Sequence, residues 1–96
     1  MTNIVILSGA RTAIGTFGGS LSNSSPIKMG TTAVKASLER SGVEPCRIGH
    51  MAMGHVINTE SRDAYLSRVV SINAGIPTDT PAMNVNRLCG SGLQAI

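Results

Sequence analysis

One short segment carries most of the chemistry open to this sequence. Asn86-Arg87-Leu88-Cys89-Gly90-Ser91-Gly92 sets a cysteine between a strand-like stretch and what reads as the start of a helix. Unpaired N–H groups and the macrodipole at a helix start favour negative charge. A thiolate is therefore favoured there, and the thiolate is the nucleophilic form of cysteine. The same N–H groups can donate to an oxyanion developing on an attacked carbonyl, and that of Cys89 is the natural candidate. Gly90 and Gly92 add little bulk, so a substrate carbonyl could come close. The local features leave a plainer alternative open. Cys89 could equally be a small buried hydrophobe in a tight turn, since no activating base stands beside it.

The rivals to Cys89 are weaker. Ser91 lacks the G-x-S-x-G frame of a serine nucleophile, because Cys89 occupies the first glycine position, and it is better suited to capping the following helix. The glycines of Gly15-Thr16-Phe17-Gly18-Gly19 are similar to those of phosphate loops but lack the Gly-Lys-Ser/Thr ending, and loop flexibility explains them better. His50 and His55 have no second ligand pair at zinc spacing, so no metal site is expected. Cys46 lies between Pro45 and Arg47 in a connection and is expected to be a bystander.

The elements that must position Cys89 alternate. Ile4 to Ser8 is β-branched and apolar and reads as a short buried strand of a parallel sheet. Residues 11–25 read as a loop, with Gly15, Gly18 and Gly19 among Ser, Thr and Asn. Ser25-Pro26 reads as an N-cap and first helical residue, Ile27, Thr31, Val34 and Leu38 as the inner face, and Gly42 with Pro45 as the stop, giving a helix over 26–41. A second strand is expected within 48–57, with Met51, Met53 and His55 on one side. Thr59 or Ser61 could cap a second helix over 63–73, whose inner face holds Leu66, Val69, Val70 and Asn73 or Ala74. A third strand spans 82–86, with Met83 and Val85 on one side and Asn84 and Asn86 on the other. The order β, α, β, α, β, then a new helix, argues for an α/β fold with parallel strands. The last residues, Gly92 to Ile96, open a helix without completing it, which implies a fragment.

Composition supports that view. Charged residues make up 14% of the 96, against about 25% in ordinary soluble proteins, so much of the surface is expected to face other protein. The net charge of +3 comes from eight scattered Lys and Arg against five Asp and Glu. With no basic patch, and Phe17 and Tyr65 as the sole aromatics, nucleic-acid binding is not expected. The longest apolar run, Ile4 to Leu7, is too short for a signal peptide or a membrane span, so a cytoplasmic location is the default. Cys46 and Cys89 are then expected to stay reduced, the alternative being a disulfide between them.

Residues 86–96, NRLCGSGLQAI, resemble the signature around the nucleophilic cysteine of the thiolases. Ser8 to Gly19, SGARTAIGTFGG, is similar to that family's N-terminal strand and loop, and Ala74 to Pro77 and Pro81-Ala82 fit in the same order. The resemblance covers essentially the whole chain. Asn58 to Arg68 departs from the Gln- and Gly-rich version of biosynthetic acetoacetyl-CoA thiolases and looks closer to a β-ketothiolase subgroup with broader acyl acceptance, and His55 stands where many members have Asn.

The resemblance implies a thiolase-like α/β fold, layered α-β-α-β-α in the full enzyme, of which residues 1–96 would be an incomplete N-terminal domain cut within the helix after Cys89. It implies an acyltransferase that runs a reversible Claisen condensation between acetyl-CoA and an acyl-CoA through an acyl-Cys89 intermediate. Coenzyme A thioesters would be the substrates, with no metal or redox cofactor, and the full-length protein would be a homodimer or homotetramer. In the family a Gly-His-Pro histidine, a second cysteine and an asparagine-held water complete the site, and none maps onto this chain. The fragment alone is therefore expected to be inactive. Two other readings share the fold: a decarboxylating ketoacyl synthase, and a non-catalytic subunit or lipid-binding relative.

Overall fold

The computed structural model describes residues 2–96. Helix α1 spans Pro26–Ser41, the span expected from its local signals. The Ser25 side chain accepts from the Lys28 N–H, Pro26 sits in the first turn where its missing N–H costs nothing, and Gly42 closes the helix at φ 70°. That left-handed angle is why glycine stands there. A 3-10 turn, Pro45–Arg47, leads to strand β1, Met51–Gly54. A second 3-10 turn, Arg62–Tyr65, runs into helix α2, Leu66–Asn73. Strand β2 is Ala82–Val85, and helix α3 is Ser91–Ala95. The α/β class is as expected, and so is the alternation from α1 onward.

β1 and β2 pair in parallel, with Met51 opposite Ala82 and Gly54 opposite Val85. The Met51 N–H donates to the Pro81 carbonyl and the His55 N–H to the Val85 carbonyl, so the ladder reaches from the residue before β2 to the residue after β1. Parallel strands need a crossover, and α2 supplies it. α1 and α2 pack on each other and cover one face of this pair, where Ile27, Leu66 and Val70 form the buried core with Val34, Met53 and Val69 against it. Gly30 lets α1 come close: a Cβ there would lie 3.0 Å from Met53 Cε and 3.0 Å from Val70 Cγ2. α3 begins on the opposite face, against Gly54.

Three expectations are corrected. Ile4 to Ser8 forms no strand among the described residues, and Ile4 and Ile6 are 98% and 81% exposed. The segment is tied instead to α1, through the Ser8 hydroxyl on the Ser37 carbonyl (2.7 Å) and the Arg40 guanidinium on the Gly9 carbonyl (3.0 Å). A gap lined by Val5, Leu7, Leu38, Ile48 and His50 lies between it and the chain that enters β1. The second strand is four residues, Met51–Gly54, rather than most of 48–57, because only these pair with β2. Neither Thr59 nor Ser61 caps the second helix with its side chain. The cap comes from Asn84 on β2, whose side-chain oxygen accepts from the Ser67 N–H at 2.9 Å while its amide donates to the Ala64 carbonyl at 3.0 Å.

Truncating the core should be costly. Leu66, 5% exposed, contacts both Ile27 and Val70 through the core cluster. Leu66→Ala is expected to lower the unfolding free energy of the intact protein by about 2–5 kcal/mol, read from the urea midpoint at constant m-value.

Candidate active site

The turn between β2 and α3 is built from its own hydrogen bonds. The Asn86 side-chain oxygen accepts from the Leu88 N–H at 3.1 Å. Leu88 takes φ 48°, a left-handed angle that is rare for a leucine and costs energy. The Gly90 N–H donates to the Arg87 carbonyl and the Ser91 N–H to the Leu88 carbonyl, at 3.0 and 3.1 Å. The Ser91 hydroxyl accepts from the Arg87 N–H at 2.8 Å and donates to the Leu88 carbonyl at 2.6 Å. The Arg87 guanidinium reaches Gln94 Oε1 on α3 at 2.7 Å.

This network encloses Cys89 without using it. Its thiol is free and exposed. The turn's hydrogen bonds use the N–H groups of Arg87, Leu88, Gly90 and Ser91, and none uses that of Cys89. Cys89 is therefore not the buried hydrophobe of the plainer reading. Ser91 is 5% exposed, with its proton and an acceptor position both committed, so it braces the turn and is poorly placed to attack anything. It does not cap the helix; Gly90 stands at the cap and Ser91 is the first helical residue.

The other candidates lie elsewhere. Cys46 is free and exposed in the 3-10 turn before β1, at the far end of that strand from Cys89. Both cysteines are unpaired. His50 precedes β1 and His55 follows it, so they stand at opposite ends of the strand. His55 turns toward the start of α2, where its Nε2 lies 3.4 Å from Asp63 Oδ1 with no aligned hydrogen bond.

Asp63 is fully buried, and nothing in the sequence analysis singled it out. Its carboxylate accepts from the Thr59 N–H (2.8 Å), the Thr59 hydroxyl and the Glu60 N–H (3.2 Å). Burial pushes its carboxyl up, but the Thr59 hydroxyl and N–H, the approaching His55 ring and the Glu60 N–H together hold it below the ordinary 3.8. The signal available was an acid four residues after a threonine, ahead of an apolar run.

The family model described as "Thiolase, N-terminal domain" matches residues 4–96. The fold and the turn thus define an opening unit of the thiolase α/β architecture, and the chain belongs to the thiolase family. The beta-ketothiolase BktB of Cupriavidus necator is 53% identical over 93 residues, covering 97% of this chain and 24% of that protein. An acetyl-CoA acetyltransferase of Clostridioides difficile is 39% identical over 95 residues, covering 99% of this chain and 88% of that protein. Human mitochondrial 3-ketoacyl-CoA thiolase, solved in complex with CoA, superposes with a TM-score of 0.88 at 39% identity, covering 92% of this chain and 22% of that one. The chain spans about a quarter of the length of relatives such as the C. necator proteins, at 24%. Among the described residues no helix is long and apolar enough to cross a membrane.

Two outcomes test the local structure in the intact protein. Ser91→Ala leaves the Arg87 N–H and Leu88 carbonyl short of a partner, and should cost about 1–3 kcal/mol in urea unfolding. A cost below about 0.5 kcal/mol, the range of ordinary surface changes, would show that the hydroxyl is not what braces the turn. Asp63 has a lowered folded-state pKa, so its contribution to stability is fully present above the unfolded value of 3.8 and is lost as pH falls through the lower folded value. The parent's melting temperature should therefore drop in that acid window. Asp63→Asn should melt lower at neutral pH and show a shallower acid limb; parallel acid limbs would assign the acid sensitivity to other groups.

Proposed function

We propose that this chain supplies the acyl-accepting part of a thiolase active site, with Cys89 as the nucleophile. The observation that carries the reading is the turn: a free, exposed thiol and an unengaged N–H, held by a network that commits the N–H groups of Arg87, Leu88, Gly90 and Ser91. Residues 1–96 are read as an incomplete N-terminal thiolase domain, in keeping with their match to about a quarter of relatives such as BktB, at 24%.

In the proposed cycle the Cys89 thiolate attacks the thioester carbonyl of an acyl-CoA. The carbonyl oxygen becomes an oxyanion, for which the Cys89 N–H is the candidate donor on this chain. The C–S bond to coenzyme A then breaks, coenzyme A leaves with the proton that Cys89 gave up, and an acyl thioester remains on Cys89. A base removes an α-proton from acetyl-CoA, the resulting carbanion attacks the acyl carbonyl, and Cys89 leaves as thiolate. The product is a 3-ketoacyl-CoA, and thiolysis is the reverse. One thioester replaces another in the first step, so that step is close to balanced in energy. The base and the group that activates Cys89 come from outside residues 1–96, since His50 lies beyond the far end of β1 and His55 faces Asp63. Coenzyme A thioesters as the substrate class are supported by the names of the relatives and by the CoA complex of the human protein. The intact protein is read as a homodimer or homotetramer working in the cytoplasm, without metal or redox cofactor.

Mass mapping tests the assignment. Acetyl-CoA should add one acetyl group to Cys89 of the intact protein, and prior iodoacetamide treatment should block it. Cys89→Ser should lower turnover by about 100-fold or more, whereas Cys46→Ser should stay within about twofold of the parent. An acetyl group on Ser91 or Cys46 would overturn the nucleophile.

A further inference from the structure

Gly54 leaves a space that α3 occupies. A Cβ built there would lie 2.9 Å from the Ser91 carbonyl carbon, 3.0 Å from the Gly92 nitrogen and 3.1 Å from Ser91 Cβ. Two of these three atoms are backbone, so no rotamer change relieves the overlap. Either β1 or α3 would have to move.

β1 is the better anchored of the two. It is paired with β2 through Met51 to Gly54, with ladder bonds continuing at the Met51 and His55 N–H groups. Met53 packs against the core, and the His55 side chain, just past Gly54, is 10% exposed against the buried Asp63. α3 packs on β1 and β2 but belongs to no ladder, and its Ser91 carbonyl carbon and Gly92 nitrogen lie where the Gly54 Cβ would go. A side chain at position 54 would therefore lift α3. Ser91 would move with it, and the Ser91 hydroxyl holds the Arg87 N–H and the Leu88 carbonyl, the groups that lead into Cys89. A shift at Gly54 thus reaches the thiol through one van der Waals contact and two hydrogen bonds.

We infer that Gly54 is a positioning residue for Cys89: the absence of a side chain at the end of β1 sets how close α3 sits, and so sets where the Cys89 thiol and N–H stand. The inference rests on the reading of Cys89 as acyl acceptor. It adds a determinant of the reaction that touches neither substrate nor the reacting atoms.

The test compares two glycines in the intact enzyme. Gly30→Ala is equally crowded, at 3.0 Å from Met53 Cε and 3.0 Å from Val70 Cγ2, but the crowding falls on side chains in the core rather than on the Cys89 turn. Gly54→Ala should lower kcat by about 100-fold, the scale of a misplacement near 1 Å, with KM within about twofold. Iodoacetamide labelling of Cys89 should slow in the same variant. Gly30→Ala should keep kcat and Cys89 labelling within about twofold of the parent, even where core crowding lowers its melting temperature. Parent-like kcat or parent-like labelling in Gly54→Ala would overturn the inference. Should Gly54→Ala not fold, it is remade beside Gly49→Ala, whose Cβ meets nothing within 4 Å and which restricts the unfolded chain, and is read against Gly49→Ala alone. Failure of that double variant to fold would also overturn it, by making Gly54 a requirement of folding and not of placement. The two readings fail differently. Full turnover in Cys89→Ser removes the nucleophile but leaves Cys89 labelling as a measure of Gly54. An acyl-Cys89 that forms normally in Gly54→Ala removes only the present inference.

Discussion

The Ser91 hydroxyl takes the Arg87 N–H and gives its proton to the Leu88 carbonyl, and the candidate site depends on that pair of bonds. Leu88 stands at φ 48°, which no leucine adopts for its own preference. Such an angle persists only where the surroundings over-determine it. Here the surroundings are few: Ser91, the Asn86 side chain on the Leu88 N–H, and the Gly90 and Ser91 N–H groups on the carbonyls behind them. Together they turn the chain out of β2 and into α3 within a handful of residues. Cys89 is left facing outward with its own N–H unspent.

A second polar cluster steadies the other side of the sheet. Asp63 gathers the Thr59 and Glu60 N–H groups, and Asn84 satisfies the Ser67 N–H and the Ala64 carbonyl. These bonds join the irregular chain after β1 to α2 and to β2. The buried carboxylate is tolerated because its hydrogen bonds outweigh its desolvation, as the lowered pKa records. The end of the sheet that leads into the Cys89 turn is therefore framed by hydrogen bonds on both faces, with the apolar core of Ile27, Leu66 and Val70 behind one of them.

What could be read from the sequence divides by range. Helix α1 was legible to the residue because Ser25, Pro26 and Gly42 act on their own neighbours. The turn around Cys89 was legible as a turn because glycines between a strand-like and a helix-like stretch mark one, while the residues alone left the role of the thiol open. Ile4 to Ser8 was misread because strand-forming residues make a strand only where another strand lies within reach. Asp63, Asn84 and Gly54 passed unnoticed because their roles depend on partners brought near by the fold. The cap of α2 comes from a strand seventeen positions later, which local capping rules cannot find.

Asn84 also bears on how β1 and β2 choose their alignment. Apolar residues alone distinguish poorly between neighbouring alignments of two short strands, since a slipped pair can still bury methionines and valines. A slip of one residue turns each side chain to the opposite face. Met83 or Val85 would then meet the Ser67 N–H, and neither can accept a hydrogen bond as Asn84 does. The wrong alignment would leave the Ser67 N–H without its acceptor and the Ala64 carbonyl without its donor. A single polar side chain on the covered face thus acts as a check on strand alignment, and the correct pairing is the one that satisfies it.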